Sequence, residues 1–166
     1  MKQLLLVLGT FFSLSVFAQQ NLDPNAPFQK DKNLPSFSLT NVYGKEVTQK
    51  DIPSNFKNVV ILIFSPDCSH CQHEAEELNK SADKLKNVYF VWDSYKDLAA
   101  IKQFAEKYQL DKQANVMIGR DVNFTLPVFF RPRMTPFVAV YQNNKLIRIY
   151  EQGADVPQLI KLFESK

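Results

Sequence analysis

Continuous apolar runs and helically spaced apolar stripes alternate along the middle of the chain. The runs at 59–64 and 88–92 are uninterrupted, as in strands that are buried on both faces of a sheet. Each run precedes a stripe in which apolar side chains recur every three or four residues, the spacing of one helix face. The stripes comprise Cys71, Ala75, Leu78, Ala82 and Leu85, and then Leu98, Ile101, Phe104, Ala105 and Tyr108. This pattern predicts two consecutive strand–helix units.

The flanking segments predict two hairpins. Weak alternation over residues 34–39, with a return at 44–47, indicates a small N-terminal hairpin. Towards the other end, strand-like segments at 137–141 and 146–150 flank an Asn-Asn pair at 143–144. Such a pair suits the positive φ angles of a tight β-turn, so these two segments predict a second hairpin.

Three further elements complete the prediction. A short strand is expected at 115–118, and the stretch 121–133 is expected to be irregular. A last helix has an apolar face formed by Val156, Leu159, Ile160 and Phe163. The predicted order is therefore hairpin, strand–helix–strand–helix, strand, hairpin and helix. This order indicates the α/β class, with a mixed sheet covered by helices on both faces.

The first residues have the layout of a secretory signal peptide. Lys2 supplies a positive start, residues 4–17 are mostly apolar, and small residues stand at the −3 and −1 positions of a cleavage site. An uncleaved anchor is the alternative, but this apolar stretch is short for a hydrocarbon core of ~30 Å. We therefore expect a signal peptide at 1–18, a flexible leader at 19–33 and one domain at 34–166. The protein is then periplasmic or secreted.

Composition limits the partners of the exported chain. Of the 20 Lys and Arg residues, only Lys2 lies in the predicted signal peptide, so the remaining chain has 19 basic and 17 acidic side chains. This near-neutral balance, with scattered lysines, excludes a nucleic-acid-binding surface. No lipobox cysteine follows the signal peptide and no later segment reaches membrane-span length, so no membrane anchor is expected after cleavage. A monomer is expected.

The two cysteines of the chain, Cys68 and Cys71, stand three positions apart at the start of the first predicted helix. There the free backbone N–H groups and the positive end of the helix dipole favour a thiolate. A disulfide that closes so small a loop would stabilise the fold by only about 2 kcal/mol, against about 4.7 kcal/mol for a 100-residue loop. The pair is therefore expected to be a redox reagent and not a structural crosslink.

A Cys-x-x-Cys sequence beside a βαβ pattern is the signature of thioredoxin-like redox proteins. Pro136 supports this, because it opens the second hairpin about where a thioredoxin fold has its cis-proline. More narrowly, the chain resembles the periplasmic TlpA/ResA-like branch, which is AhpC/TSA-related. It shares a Leu-Pro-x-Phe-x-Leu hairpin followed by Gly-Lys, the motif Cys-x-x-Cys-x-x-Glu, and a long insert before Thr-Pro. The resemblance implies a thioredoxin-like fold, with a central mixed β-sheet flanked by helices, an N-terminal hairpin and an inserted β–α unit.

The resemblance also implies a role for each motif residue. Cys68 would be the exposed attacking thiol and Cys71 the resolving thiol, which agrees with the place of Cys71 on the apolar stripe. Attack on a substrate disulfide would give a mixed disulfide that Cys71 then cleaves. Glu74 would manage protons near the resolving thiol, although the helix dipole alone also favours acids in a first turn. Thr135 and Pro136, joined by a cis peptide bond, would present backbone groups to an extended substrate peptide.

Two neighbours of the cysteines are expected to tune their pKa values. His70 would stabilise a thiolate at Cys68 and make the disulfide more oxidising, as in DsbA-type oxidants, which also have His before the second Cys. Asp67 would oppose this effect by like-charge repulsion. Which of the two dominates stays open, as does the alternative that both side chains are simply solvated.

These features predict an exported thiol–disulfide oxidoreductase that uses no dissociable cofactor. Its partners would be protein thiols or disulfides and a redox-partner protein. The resemblance favours a reductase, whereas Ser-His between the cysteines favours a DsbA-like oxidase or isomerase. A copper- or zinc-binding metallochaperone is the other alternative, since the segment offers the soft ligands Cys68, His70, Cys71 and His73. Such proteins generally space the cysteines by three residues and add a distant His, which this chain does not have, so no metal site is expected.

Overall fold

The structure is a computed structural model that describes residues 22–164. The predicted signal peptide, residues 1–18, and the first residues of the predicted leader lie outside the described residues. Across the described range, none of the helices has both the length and the apolar character needed to cross a membrane.

Seven strands form one mixed sheet in the order β2-β1-β5-β4-β3-β6-β7. The strands are β1 Ser38–Asn41, β2 Glu46–Thr48, β3 Asn58–Ile63, β4 Val88–Ser94, β5 Val116–Arg120, β6 Phe137–Gln142 and β7 Lys145–Tyr150. β3, β4 and β5 are parallel, and β6 runs antiparallel to β3. The two hairpins, β1–β2 and β6–β7, extend the sheet at its two sides. Every predicted strand is present, so the predicted mixed sheet is confirmed.

Four helices cover the sheet: α1 Ser69–Lys80, α2 Leu98–Lys107, α3 Thr125–Phe130 and α4 Val156–Glu164. The alternation of side chains along β3 determines which helix covers which face. Val60 and Leu62 pack with α1, α2 and α4, on what we call the α1 face. Val59 and Ile61 pack with α3 and the segment before β1, on what we call the α3 face. The central strand is thus buried on both sides, as its continuous apolar run predicts.

The stretch 121–133, predicted to be irregular, contains α3. The helix follows Phe124, whose backbone is left-handed (φ 54°), and Asp121 caps it by accepting a hydrogen bond from the Leu126 N–H at 2.8 Å. Leu126 and Phe130, one turn apart, are buried on the α3 face. The prediction missed this helix because six residues with an internal proline are too few for a clear apolar period.

The first helix is shorter than its apolar stripe. α1 ends at Lys80, and Ser81 (φ −104°, ψ 6°) leaves helical geometry before a 3-10 turn at Ala82–Leu85. Leu85 still lies in the core, because the three-residue period of the turn keeps it close to the same side.

The segment before β1 packs against the domain. Phe28 is buried on the α3 face, where its ring centroid lies 5.8 Å from that of Phe130. Asn33 forms a β-bridge with Lys145 of β7. The folded unit therefore begins within the predicted leader at 19–33, before the predicted boundary at residue 34.

The β5–α3 unit is the inserted β–α unit that the resemblance implies. It lies between α2 and β6, and β5 extends the parallel part of the sheet to three strands. The carboxyl ends of these parallel strands and the amino end of β6 meet at one edge of the sheet, so the loops at these ends converge there. Cys68 and Cys71 lie at this edge, where the chain passes from β3 to α1.

Candidate active site

The site forms where β3 ends and α1 begins. Residues 65–67 turn the chain at this edge, and the side-chain amide of Gln72 holds the turn by donating to the Pro66 carbonyl at 3.0 Å. Cys68 immediately precedes the first turn of α1 and has an extended backbone (φ −86°, ψ 119°). The backbone N–H groups of His70 and Cys71 donate to its sulfur. The helix N-terminus therefore faces the Cys68 sulfur, as predicted.

The two sulfurs have unlike surroundings. Cys68 is partly exposed, whereas Cys71 is fully buried on the α1 face. Partial burial raises the pKa of Cys68, but hydrogen bonds from the N–H and thiol of Cys71 outweigh it, so this pKa lies below its ordinary value. Burial raises the pKa of Cys71 to about 12. Cys68 is therefore the sulfur that ionises more readily, and Cys71 stays protonated.

The loop that leads into β6 closes against Cys68. The Thr135–Pro136 peptide bond is cis, and the Thr135 carbonyl oxygen lies 3.5 Å from Cys68 Sγ. The thiol of Cys68 donates to this oxygen in the reduced protein. The structure thus brings together two parts of the predicted site that are 67 positions apart in the sequence.

Glu74 is buried one turn after Cys71 on the same helix, with 6% of its surface exposed. Its Oε1 atom accepts a hydrogen bond from the Ala154 N–H at 3.1 Å. Burial raises the pKa of Glu74 to about 7, while that hydrogen bond acts in the opposite direction. A carboxyl group with a pKa near neutrality can both accept and release a proton there.

A backbone turn before α4 lies directly against this carboxyl group. Gly153 has a φ of 89°, a left-handed conformation that favours glycine. A Cβ atom at Gly153 would lie 2.7 Å from Glu74 Oε2 and 3.2 Å from Pro136 Cγ. The Glu74 carboxyl and the cis-proline ring therefore both contact the backbone at residue 153.

Asp67, next to Cys68, is exposed and partnered. The Ser65 hydroxyl donates to Asp67 Oδ1, and Lys96 Nζ, from the loop after β4, lies 3.7 Å from Asp67 Oδ2. The Ser65 hydrogen bond, helped by the Lys96 charge, holds the pKa of Asp67 below its ordinary value. The Lys96 charge also weakens the repulsion that Asp67 exerts on a thiolate at Cys68.

The imidazole rings of His70 and His73 are exposed on α1. The His70 ring has no hydrogen bond or ion pair with the described part of the chain, and it is the backbone N–H of His70 that reaches Cys68. No group of three or more His, Cys, Asp or Glu side chains within residues 22–164 is arranged to hold a metal ion.

Three parts of the site escape sequence reasoning. Ser65 and Lys96, the partners of Asp67, belong to no motif that would single them out in the sequence. The contact of Glu74 with Ala154 joins residues 80 positions apart, and no periodic pattern reports such a contact. Gly153 was the available signal, because the chain has only four glycines and this one stands just before a predicted helix.

A second buried carboxyl group lies near the same edge of the sheet, on the α3 face. Asp93, near the end of β4, is fully buried, and neither of its carboxyl oxygens has a hydrogen-bond partner within residues 22–164. Burial raises the pKa of Asp93 well above its ordinary value, and the neighbouring carboxylate of Asp121 raises it further. The sequence gives no sign of this, because Asp93 continues a strand-like run.

The sequence matches the model of the AhpC/TSA family over residues 31–132, more than half of the chain. The matched span contains both cysteines and Glu74 and ends just before the loop with the cis-proline. No curated protein sequence matches the chain.

Several solved structures have a similar fold. A secreted Mycobacterium tuberculosis disulfide oxidoreductase homologous to E. coli DsbE has a TM-score of 0.64 and 20% identity, over 78% of this chain and 96% of that one. Peroxidoxin BcpB from the same organism has a TM-score of 0.68 and 15% identity, over 80% and 94%. A thioredoxin-like protein from Aeropyrum pernix has a TM-score of 0.64 and 13% identity, over 79% and 89%. The likeness confirms the predicted thioredoxin-like fold.

Proposed function

The chain belongs to the AhpC/TSA family and is a thiol–disulfide oxidoreductase, and on this premise we propose that its Cys68–Cys71 pair reduces protein disulfides outside the cytoplasm. The contrast between the two sulfurs carries the proposal. Cys68 is partly exposed with a lowered pKa, and Cys71 is buried with a pKa of about 12. An exposed thiolate can attack a substrate, whereas a buried thiol reacts only with a disulfide formed beside it.

In the first step the Cys68 thiolate attacks one sulfur of a substrate disulfide. A bond forms between Cys68 and that sulfur, the substrate disulfide breaks, and the second substrate sulfur leaves as a thiolate that takes a proton from water. The N–H groups of His70 and Cys71 stabilise the Cys68 thiolate before the attack.

In the second step Cys71 resolves the mixed disulfide. The Cys71 thiol loses its proton and attacks Cys68 Sγ, the Cys68–Cys71 disulfide forms, and the remaining substrate sulfur leaves as a thiolate. Because the pKa of Cys71 is about 12, this step needs a base. Glu74, one helical turn away and with a pKa of about 7, accepts the proton. The substrate gains two electrons, and the dithiol of a redox-partner protein then reduces Cys68–Cys71 again.

Thr135 and Pro136 position the substrate. The Thr135 carbonyl lies 3.5 Å from Cys68 Sγ, so it can accept a backbone N–H from a peptide that reaches the sulfur in extended form. Main-chain pairing of this kind gives affinity without requiring particular side chains. This supports protein disulfides as the substrate class.

The groups that stabilise the Cys68 thiolate support the reducing direction. A strongly oxidising disulfide has a strongly stabilised reduced form, as in DsbA at about −120 mV, compared with about −270 mV in thioredoxin. Here the stabilisation comes from backbone N–H groups and the Cys71 thiol, while the His70 ring is exposed and Lys96 is paired with Asp67. His70 and Asp67 are therefore weak tuning groups, and the disulfide is a weak oxidant.

Export is proposed from the signal-peptide pattern at residues 1–18. A structural neighbour that is described as secreted lends it support. In an oxidising compartment a reductase depends on a membrane or protein source of electrons, so the redox-partner protein is part of the proposal.

The reduction potential tests the direction. Purified protein is equilibrated with thiol–disulfide buffers of known potential, and the oxidised fraction is read from the mass added by alkylation of free thiols. A midpoint close to thioredoxin's value of about −270 mV supports a reductase. A midpoint near about −120 mV contradicts it and assigns the oxidising direction.

Elemental analysis of the reduced protein tests the metallochaperone alternative. The proposal expects copper and zinc well below one equivalent per chain. A stoichiometric metal that is released when Cys68 and Cys71 are replaced would favour the metal-binding function instead.

A further inference from the structure

We infer that Gly153 is a positioning residue for the second step of the reaction: it leaves the space that the Glu74 carboxyl group and the Pro136 ring both approach, and it aims the following Ala154 N–H at that carboxyl group. The inference rests on the proposed function, because the transfer of a proton from Cys71 to Glu74 is a step of it. Gly153 itself touches no reacting sulfur and acts through Glu74.

The space around residue 153 is too small for a side chain. A methyl group at Gly153 would lie 2.7 Å from Glu74 Oε2 and 3.2 Å from Pro136 Cγ. Both distances are shorter than an ordinary van der Waals contact, and the proline ring is rigid, so the carboxyl group would have to move. Only glycine leaves the Glu74 carboxyl in its present place.

The turn at Gly153 also positions the hydrogen bond between the Ala154 N–H and the Glu74 carboxyl group. Glu74 is buried, and the Ala154 N–H that reaches its Oε1 atom at 3.1 Å favours the ionised form. The left-handed backbone of Gly153 turns the chain so that this N–H points at α1. Without this donor a smaller fraction of the Glu74 carboxyl group would be ionised near pH 7, and a carboxyl group pushed towards water would be displaced from its present place on α1.

Among the titratable groups near Glu74, none competes with it as the proton acceptor. Cys71 and His70 lie on its own helix, and the His70 ring is exposed. From β7, Tyr150 is close enough for its charge to interact with Glu74, and burial raises the pKa of Tyr150 above its ordinary value, so its phenol stays neutral near pH 7. Within the described residues, Glu74 is thus the acid at this contact that titrates near neutrality.

Gly44 provides a matched control. It also has a left-handed backbone (φ 77°), but a Cβ atom there would have nothing within 4 Å. Gly44→Ala therefore measures the cost of the backbone conformation alone, whereas Gly153→Ala adds the collision with Glu74 and Pro136.

The test compares Gly153→Ala, Gly44→Ala and Glu74→Gln in the reduction of insulin across pH 5 to 9. We expect Gly44→Ala to keep wild-type kcat/KM. Gly153→Ala should lose about 10- to 100-fold at pH 7, and its pH profile should lose the inflection near pH 7, as in Glu74→Gln. In single turnover, Gly153→Ala should slow the decay of the mixed disulfide and leave its formation unchanged.

A double variant separates positioning from general damage. Because Gly153 acts through Glu74, Gly153→Ala should cost little activity in the Glu74→Gln background. If Gly153→Ala does not fold, the thermal unfolding of Glu74→Ala/Gly153→Ala replaces it: removing the carboxyl group should recover most of the lost stability, while the close approach to Pro136 Cγ keeps this variant below the level that Gly44→Ala shows.

Three outcomes would overturn the inference: a wild-type pH profile in Gly153→Ala, losses that simply multiply in the double variant, or no recovery of stability on removing Glu74. An active Cys68→Ala enzyme would instead overturn the proposed function. The two failures are therefore distinguishable, because they are measured on different variants.

Discussion

Each face of the sheet buries a carboxyl group, and the two groups differ in whether they have a hydrogen-bond partner. On the α1 face, Glu74 has a backbone N–H as its partner, lies close to the backbone at Gly153, and has a pKa of about 7. On the α3 face, Asp93 is also buried, but neither of its oxygens has a partner in the described chain, and the Asp121 carboxylate lies close by. Both acids belong to the end of the sheet at which the cysteines lie.

Under the proposed function, this difference separates an acid that takes part in the reaction from one that only affects stability. A partnered carboxyl group beside the resolving thiol can exchange protons near neutral pH. An unpartnered one is kept neutral by burial, and its ionisation would cost stability without contributing to the reaction. The α1 face should therefore control activity and the α3 face should control stability.

The largest effect is expected from Cys68→Ala. Disulfide reduction should fall by at least about 10³-fold, because Cys71, the other described cysteine, is buried and inaccessible to a substrate. Asp93→Asn is the matched control on the α3 face and should keep wild-type activity. An insulin-reduction assay measures the activity of both variants. Substantial turnover by Cys68→Ala would contradict the role of Cys68 as the attacking sulfur.

Cys71→Ala should leave the first step intact and block the second. Because Cys68 remains accessible, substrates should accumulate as mixed disulfides on Cys68. The measurement is the set of proteins captured in the native cell, separated without reductant. Cys68→Ala should capture none of them, and equal capture by the two variants would contradict the assigned roles.

Glu74→Gln should slow the second step by about 10- to 100-fold at pH 7. Because the pKa of Glu74 is about 7, wild-type activity should rise as pH passes through that value and Glu74 loses its proton, and the variant should lack this rise. The pH dependence of mixed-disulfide decay in single turnover measures it. Identical profiles for both proteins would remove Glu74 from the reaction.

Asp93→Asn should change stability and its pH dependence. The folded-state pKa of Asp93 is raised, so the folded protein holds a proton that the unfolded chain releases above about pH 4. Wild-type stability should therefore fall as pH rises above that value, by up to about 1.4 kcal/mol per pH unit, until the folded-state pKa is reached.

Asparagine does not titrate, so the variant should lose that part of the slope and gain on wild type as pH rises. Urea unfolding at several pH values checks this. Parallel stability curves for the two proteins would mean that Asp93 ionises in the fold as easily as in the unfolded chain.

Local pattern was enough to predict the frame that holds the cysteines. The apolar run of β3 is buried on both faces, and the stripe after it forms α1 with Cys71 on its inner side. Asn143 and Asn144 have the positive φ values that their turn predicts. These features depend on near neighbours in the sequence, so periodicity and turn chemistry report them.

Long-range contacts were beyond the sequence. The pattern could not show that the Ala154 N–H meets Glu74, or that Asp93 is buried without a partner, since both depend on how distant segments pack. α3 and the packed segment before β1 were missed for a related reason. Each is short and gains its stability from burial on the α3 face, where Phe28 meets Phe130, and not from its own sequence pattern.

Site-resolved alkylation of the reduced, folded protein compares the reactivity of the two sulfurs. Iodoacetamide is applied over a range of pH, and the modified cysteine is identified by peptide mass spectrometry. We expect Cys68 to react with an inflection below its unperturbed pKa of about 8.5, and Cys71 to react only after unfolding. Modification of Cys71 at a rate equal to or above that of Cys68 in the folded protein would contradict the division of roles between the two sulfurs.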